Sequence, residues 1–413
     1  QERRVTVIWS NAALMLANGF LLAGGLCLAA DSISMLVFET YAYADLLRLS
    51  FISLALASVM DPFLAYLRME EKAKQYVALT LVSAPIAVAL NAWFVLWFQW
   101  GIMGAALAGV VSTTVSVIAV GWVVARRLPL RIDVTLFIPL VRIGFPSIFG
   151  LFAFLLIDYA DRQMLQRMAG LEALGVYSVG YNFGMVMLLF VGAFGTAWPP
   201  FFMSFINRRD EARIIFGKVF RYYLLIFGVL LVGFFAAAKP LVVLLAGDRF
   251  QETYVVVGLV AAAYMMKGCY LIFLPGLYFE KKLIMQSVIE WVAALVNVAL
   301  NLLWIPIFGI VGAAAATLVG YVMLPLCTWA LGRQCLTVKY NWHAIFFMSS
   351  LLLVACALIW WASLQSSLAA VLISSMAIVT LSVLALYRLG LDAGERQAVM
   401  SLFKTLLPKP KVW

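Results

Sequence analysis

Long apolar runs separated by short polar stretches make up most of this chain, and twelve of them are long enough to cross a bilayer as helices. In chain order, helices A to L are predicted at Val5 to Ala30, Asp45 to Leu67, Gln75 to Phe98, Ile102 to Ala125, Val134 to Ile157, Leu174 to Phe202, Tyr222 to Ala246, Thr253 to Phe279, Leu283 to Ile305, Phe308 to Leu331, His343 to Ser363 and Ser366 to Tyr387. The pattern predicts an all-α, multi-pass membrane protein.

The composition agrees with this pattern and excludes a soluble protein. Of the 413 residues, 65% are apolar and 12% are charged, against roughly 45–50% and 25% in soluble domains. In a soluble chain the net charge of +10 would suggest nucleic acid. Here we assign it to cytoplasmic loops and anionic lipid, and expect no nucleic-acid partner. Five cysteines without CxxC spacing and a single histidine give no support for a metal site.

Basic residues predict the orientation. Most of the 29 Lys and Arg residues lie in one set of alternate connections, and the other set holds only Arg162, Arg167, Lys239 and Arg249. Because short cytoplasmic loops are enriched in basic residues, both ends are predicted to be cytoplasmic. The tail 388–413 is predicted to be an interfacial segment on anionic lipid.

An internal repeat predicts two lobes. The segment from Trp100 to Val111 and the segment from Phe308 to Val319 share a Gly-x-x-Gly-Ala-Ala pattern and open helices D and J. A parallel repeat of six-helix units would produce this spacing, although close helix packing alone also favours small residues. We therefore predict an N-lobe at 1–125 that lacks its first two helices, a linker at 126–133, a C-lobe at 134–332 and a trailing pair at 343–387. The full protein would then have about fourteen spans.

Four short motifs carry a family resemblance. They are Leu67-Arg68 with the Glu-Lys pair entering helix C, Gly101-x-x-Gly104-Ala-Ala, the stretch from Asp161-Arg162 to Tyr177, and Gly309-x-x-Gly312-Ala-Ala. In this order the chain resembles bacterial polysaccharide-unit flippases of the multidrug/oligosaccharidyl-lipid/polysaccharide exporter (MOP) superfamily.

The resemblance implies a bacterial inner-membrane protein with two six-helix lobes forming a V around a central cavity, plus two extra helices. It also implies translocation of undecaprenyl-diphosphate-linked oligosaccharide units from the cytoplasmic to the periplasmic leaflet, for O-antigen, capsule or exopolysaccharide assembly. The expected partners are that lipid-linked substrate, anionic lipid and polysaccharide assembly proteins. No enzyme activity is expected.

Three cations interrupt apolar spans and are candidate substrate-binding residues: Arg48 in helix B, Arg142 in helix E and Lys267 in helix H. A charge inside a membrane normally faces a wet cavity or a partner. A diphosphate is one such partner. Protein carboxylates are the alternative, with Asp45 or Asp61 facing Arg48 and Glu290 facing Arg142 or Lys267.

A polar stripe on helix I is the second candidate site. Gln286, Glu290, Asn297 and Asn301 are spaced to share one helical face. Glu290 could bind a coupling proton or sodium ion, and no other cofactor is expected. Hydrogen bonds between helices are an equally good explanation of the stripe. Asp61 in helix B belongs to a weaker stripe with the same two interpretations.

Gly144 with Pro146 and Pro275 with Gly276 are candidate hinges for alternating access, because proline removes a backbone donor and can kink a helix. Static kinks are the alternative. Asp158, Asp161 and Arg162 are placed at the periplasmic end of helix E, where a cap, a lobe-locking ion pair or a substrate role would each explain them.

Two other functions compete with the flippase. A drug or cation antiporter of the same superfamily would need a more acidic cavity. A polymerase or ligase of lipid-linked sugars would need a larger periplasmic loop than the predicted connections Asp31 to Ala44 and Asp158 to Ala173.

Overall fold

The computed structural model describes residues 2–70, 72–126, 128–364, 368–390 and 394–397. These residues are almost entirely helical. The chain divides into two compact units, Gln1–Phe145 and Pro146–Trp413. The division between lobes was predicted in the linker 126–133. The boundary between the two compact units falls later in the chain, between Phe145 and Pro146, within a long helix.

Unit 1 contains six helices and the start of a seventh. They are α1 (Glu2–Leu28), α2 (Ala30–Phe38), α3 (Ala44–Ser58), α4 (Met60–Met69), α5 (Ala73–Ala92), α6 (Gly101–Ala125) and α7 (Phe137–Met203). The predicted helix B is divided into α3 and α4 because Pro62 has no N–H to offer the carbonyl of Ser58. The predicted connection Asp31 to Ala44 contains α2, which was not predicted. Asp133 begins a short turn before α7 by accepting hydrogen bonds from the backbone and the hydroxyl of Thr135.

Unit 2 contains most of α7 and six further helices. They are α8 (Arg209–Ala246), α9 (Tyr254–Phe273), α10 (Pro275–Phe279), α11 (Leu283–Gly332), α12 (Trp342–Ser363) and α13 (Leu368–Gly390). A large apolar core of aromatic and aliphatic side chains fills this unit. Glu395, from the predicted interfacial tail, accepts hydrogen bonds from Arg221 and Tyr222 of α8. Residues 391–393 and 398–413 of that predicted segment lie outside the described residues.

Ten candidate membrane spans are found within the described residues, and two of them each merge two helices across a glycine. The breaks are at Gly170 in α7 and Gly309 in α11, where φ is +88° and +55°. With these divisions the described chain has the twelve predicted segments. The end of helix E is a correction: residues 158–169, predicted as a connection, continue the first segment of α7.

The Gly-x-x-Gly repeat has the same geometry in both units. Gly101 and Gly309 have φ of +53° and +55°, a left-handed conformation that costs glycine little. A Cβ on Gly104 would lie 3.0 Å from the carbonyl oxygen of Phe94, and one on Gly312 would lie 2.4 Å from that of Trp304. The first glycine therefore permits the turn, and the second lets the new helix pack against the preceding backbone.

The predicted helix H is divided at Pro275. Proline cannot donate to the carbonyl of Leu271, one turn earlier. That carbonyl accepts hydrogen bonds from the indole of Trp198 at 2.8 Å and from the backbone N–H of Leu274 at 3.3 Å. α9 ends at Phe273 and α10 begins at Pro275, so the break has a defined replacement partner from α7.

Candidate functional site

Unit 2 encloses a group of carboxyl and hydroxyl side chains among its apolar helices. We call Asp158, Asp161, Tyr177, Tyr181, Tyr264, Thr317 and Tyr321 the tyrosine–carboxylate cluster. Both segments of α7, α9 and the second segment of α11 contribute to it. Helical spacings of three or four residues place the paired members of each segment on one face. Four helical segments therefore direct their polar side chains to one buried region.

The two aspartates accept hydrogen bonds mainly from neutral hydroxyl groups. Asp161 is fully buried and accepts from Tyr177, from Thr317 at 3.3 Å and from the Arg162 backbone at 2.6 Å. Neither aspartate forms an ion pair with a basic side chain of the described residues.

Asp158 accepts from three tyrosines through one oxygen atom. The distances from the hydroxyl oxygens are 2.6 Å for Tyr321, 3.3 Å for Tyr181 and 3.4 Å for Tyr264. Tyr181 and Tyr264 also hydrogen-bond to each other, at 2.8 Å. Because an ionised carboxylate is costly to bury without a cation, the two aspartates are suited to hold a proton or a small cation.

Glu290 and its hydrogen-bond partners form a second polar group in unit 2. It is buried, and its Oε1 accepts hydrogen bonds from Tyr270 of α9 and from Gln286 at 3.0 Å. A Cβ on Gly150 of α7 would lie 1.8 Å from Oε2 of Glu290. The absence of a side chain at this position therefore lets α7 approach the carboxylate.

The remaining stripe residues are also buried. Asn297 and Asn301 have no exposed surface, and Asn301 donates to the backbone and side-chain oxygens of Asn297, at 3.0 and 3.2 Å. One polar atom of each of Gln286, Asn297 and Asn301 is buried without a protein partner. The predicted face is thus turned into the unit, and its hydrogen-bonding capacity is only partly used.

Lys267 is the one candidate cation located beside these groups. Its ammonium lies 4.5 Å from the ring centroid of Phe154, 5.6 Å from that of Tyr321 and 6.0 Å from that of Tyr264. No carboxylate of the described residues lies within ion-pair distance of it. The rings stabilise the charge through cation–π contacts, worth about 0.5–2 kcal/mol each depending on exposure. The expected alternative, an ion pair with Glu290, is not formed.

The candidates in unit 1 have different surroundings. Arg48 donates to Asp31 and Asp45, each at 2.6 Å, and its side chain is 36% exposed. This is the carboxylate pairing considered as the alternative to substrate binding, with Asp31 as an additional partner. Arg142 and Asp61 are exposed and form no ion pair with other described residues. A substrate role for Arg48 and Arg142, and a role for Asp61 in a polar stripe or in ion coupling, stay predictions.

The hinge candidates lie at one helix interior and one helix break. Gly144 and Pro146 are within α7, and a Cβ on Gly144 would meet nothing within 4 Å. Pro275 and Gly276 begin α10 and are buried, and a Cβ on Gly276 would lie 2.8 Å from the carbonyl oxygen of Gly332. Movement at either place stays a prediction.

Sequence reasoning missed the tyrosines. Tyr181, Tyr264, Tyr270 and Tyr321 counted as apolar positions and Tyr177 only as the end of a family motif, although their hydroxyl groups bind Asp158, Asp161 and Glu290. The available signal was the spacing of Tyr177 and Tyr181, four residues apart, together with two aspartates three residues apart on a helix whose predicted end was too early.

Comparison with known structures defines the class of fold. The chain is similar to the MATE transporter VcmN of Vibrio cholerae in its bent form, with a TM-score of 0.64, 17% identity and coverage of 80% of this chain and 83% of that one. A MATE transporter in the straight conformation gives a TM-score of 0.69 at 12% identity, covering 80% and 78%. A MOP superfamily transporter from Pyrococcus furiosus gives 0.65 at 14% identity, covering 81% and 79%. The fold is therefore that of MOP superfamily transporters, and the predicted all-α membrane class is confirmed.

Sequence comparison supplies the family. Residues 1–206 match the family described as polysaccharide biosynthesis protein, and the chain belongs to that family. The resemblance seen in the short motifs is thereby confirmed. No curated protein matches the sequence.

Proposed function

We propose that this protein translocates undecaprenyl-diphosphate-linked oligosaccharide units from the cytoplasmic to the periplasmic leaflet by alternating access. The family description supports a role in polysaccharide biosynthesis, and the fold supports transport. A flippase breaks no covalent bond. It must lower the cost of moving a charged, hydrated head group through hydrocarbon, and buried polar and cationic side chains are suited to that task.

The surroundings of Lys267 carry this proposal. Its ammonium lies in a candidate span, is only partly exposed, and has aromatic rings instead of a carboxylate as neighbours. A diphosphate would supply the missing negative charge, and the aromatic faces of Phe154, Tyr264 and Tyr321 would suit the apolar faces of sugar rings. The proposal does not use Arg48, because Asp31 and Asp45 already balance its charge.

The buried carboxyl groups provide the means of energy coupling in this proposal. Glu290 and the aspartates of the tyrosine–carboxylate cluster would exchange a proton or a sodium ion during the cycle. Their hydrogen bonds come from neutral donors, so uptake of a positive charge requires no basic side chain to be displaced. Lys267 contacts the rings of Tyr264 and Tyr321, whose hydroxyl groups hydrogen-bond to Asp158, so a change in the charge of that carboxyl group would act on the ammonium.

One observation favours a second candidate, a drug or cation antiporter. Unit 2 buries Asp161 and Glu290 and partly buries Asp158, and none of the three forms an ion pair with a basic side chain of the described residues, which is more acidic than expected for a site that binds only a diphosphate. An organic cation could be held by these carboxylates and by the aromatic rings that now contact Lys267.

The decisive experiment is complementation of a deletion strain with the full-length protein. Loss of surface polysaccharide and accumulation of lipid-linked units in the cytoplasmic leaflet are expected on deletion. The wild type should restore both, and Lys267→Gln should not. Lys218→Gln, which removes an exposed lysine of α8, is the matched control and should complement fully.

Two outcomes would contradict the flippase. Full complementation by Lys267→Gln would remove the proposed phosphate contact. Unchanged surface polysaccharide in the deletion strain, with increased sensitivity to cationic drugs, would instead establish the antiporter.

A further inference from the structure

Unit 2 contains a cavity of about 190 Å³ at the ends of its membrane spans. Phe273, Thr328 and Trp329 line it from α9 and α11. Arg333 and Tyr340 line it from the connection between α11 and α12, and Trp342 from the start of α12. Two candidate spans finish and begin here, at Gly332 and Trp342. The cavity therefore lies at the level where lipid head groups meet the hydrocarbon.

The cavity has unused hydrogen-bond donors. The hydroxyl of Thr328 is buried and has no protein partner, which is costly unless a ligand or water supplies one. The guanidinium of Arg333 lies 5.3 Å from the ring centroid of Trp329 and forms no ion pair with the described residues. No acidic residue is among the described residues that line the cavity. This chemistry favours an anion.

Aromatic side chains form the wall of the cavity. The ring centroids of Trp329 and Trp342 are 5.3 Å apart, and those of Trp342 and Tyr340 are 5.2 Å apart. Burial raises the pKa of Tyr340 above its ordinary value, so its phenol remains a neutral donor at physiological pH. Aromatic rings with polar edges are typical of sites at the membrane interface.

We propose that this cavity binds the phosphate-bearing head group of an anionic glycerophospholipid, held by Arg333 and Thr328 and flanked by Trp329 and Trp342. Its volume is below the roughly 300–1,000 Å³ of pockets that enclose whole small ligands. A head group would therefore enter while the acyl chains remain in the bilayer. Arginine provides the two-pronged contact that phosphate oxygens prefer. This site is separate from Lys267 and does not depend on the proposed transport function.

The test is a titration of the detergent-purified full chain with phosphatidylglycerol, followed by native mass spectrometry. Phosphatidylcholine serves as the neutral lipid. Arg333→Gln should weaken phosphatidylglycerol binding about tenfold, the effect of losing one charge-assisted hydrogen bond. Thr328→Val should weaken it about fivefold without lowering the melting temperature of the lipid-free protein, because the hydroxyl has no protein partner.

Lys339→Gln is the matched control, since this exposed lysine lies in the same connection but does not line the cavity. Equal weakening by Lys339→Gln and Arg333→Gln would indicate general charge attraction and overturn the proposal. Equal binding of phosphatidylcholine would do the same. Displacement of the lipid by soluble glycerol phosphate at millimolar concentration would identify a site for a free phosphate ester. Tighter binding of undecaprenyl phosphate than of phosphatidylglycerol would assign the cavity to the carrier lipid. Displacement by glycerol phosphate and tighter binding of undecaprenyl phosphate would each overturn the assignment to a phospholipid.

Discussion

Replacing Gly150 by alanine tests the packing of α7 against Glu290. The new Cβ would lie 1.8 Å from Oε2 and 2.9 Å from Cδ of Glu290. The carboxylate ends a flexible side chain, so rotation can relieve the clash. Rotation removes the carboxylate from the hydroxyl of Tyr270 and the amide of Gln286. The cost of the substitution is therefore the loss of these two hydrogen bonds.

The magnitude follows from those two bonds. Hydrogen bonds to a charged group contribute about 1.5–3 kcal/mol each, and alanine in a helix interior regains about 0.5–1 kcal/mol over glycine. A net loss of about 3 kcal/mol in the free energy of unfolding is expected for Gly150→Ala. At about 2 °C per kcal/mol for a large chain, the melting temperature should fall by roughly 6 °C.

The assay is thermal unfolding of the purified protein in detergent, arranged as a double-mutant cycle with Glu290→Ala. In the Glu290→Ala background, Gly150→Ala should cost nothing, because the atoms it meets are gone. Gly144→Ala is the matched control on the same helix, since its Cβ would meet nothing within 4 Å. Equal melting temperatures for the Gly150 and Gly144 variants, or an undiminished effect without the Glu290 carboxylate, would refute this account of the packing.

Three further predictions concern the turns and the helix break. Alanine at Gly101 and at Gly309 should each cost about 1–3 kcal/mol, because both residues have a positive φ that alanine adopts only with strain; an unchanged melting temperature for either variant would contradict this. Trp198→Phe should cost about 1–2 kcal/mol by leaving the Leu271 carbonyl without its indole donor, and an unchanged melting temperature would show that another group or water replaces it. Hydrogen bonds from the neighbouring threonine lower the pKa of Asp133, so its contribution to stability is present above the ordinary carboxyl pKa and is lost as the pH falls through the lowered value; a pH series should show less acid sensitivity for Asp133→Ala than for the wild type, and identical profiles would argue against it.

The helices and the polar stripe were predictable because they follow from periodicity alone. Gln286, Glu290, Asn297 and Asn301 are spaced by whole turns, and a face that carries four such residues is unlikely to contact lipid. The structure turns that face into unit 2. The two Gly-x-x-Gly segments were likewise visible as a repeat, although their left-handed first glycines were not.

The tyrosine–carboxylate cluster could not be predicted from local patterns. Asp158 and Asp161 were interpreted as the end of a helix. Their role as acceptors was not visible, because several of the hydroxyl groups that bind them lie far away in the chain. Tyr321 is 163 residues from Asp158, and Thr317 is 156 residues from Asp161. Burial of a carboxylate depends on such distant partners, which a single sequence does not show.

The shared glycine turn has a consequence for how the two units can diverge. Because each turn is closed by its own glycines and the backbone just before it, residues 101–104 and 309–312 form local turns that include no member of the tyrosine–carboxylate cluster. Unit 2 buries acidic side chains, whereas Arg48 and its two aspartates in unit 1 are partly exposed. Exchange of the two four-residue turns in a chimera should therefore be tolerated without any change to the buried acids of unit 2.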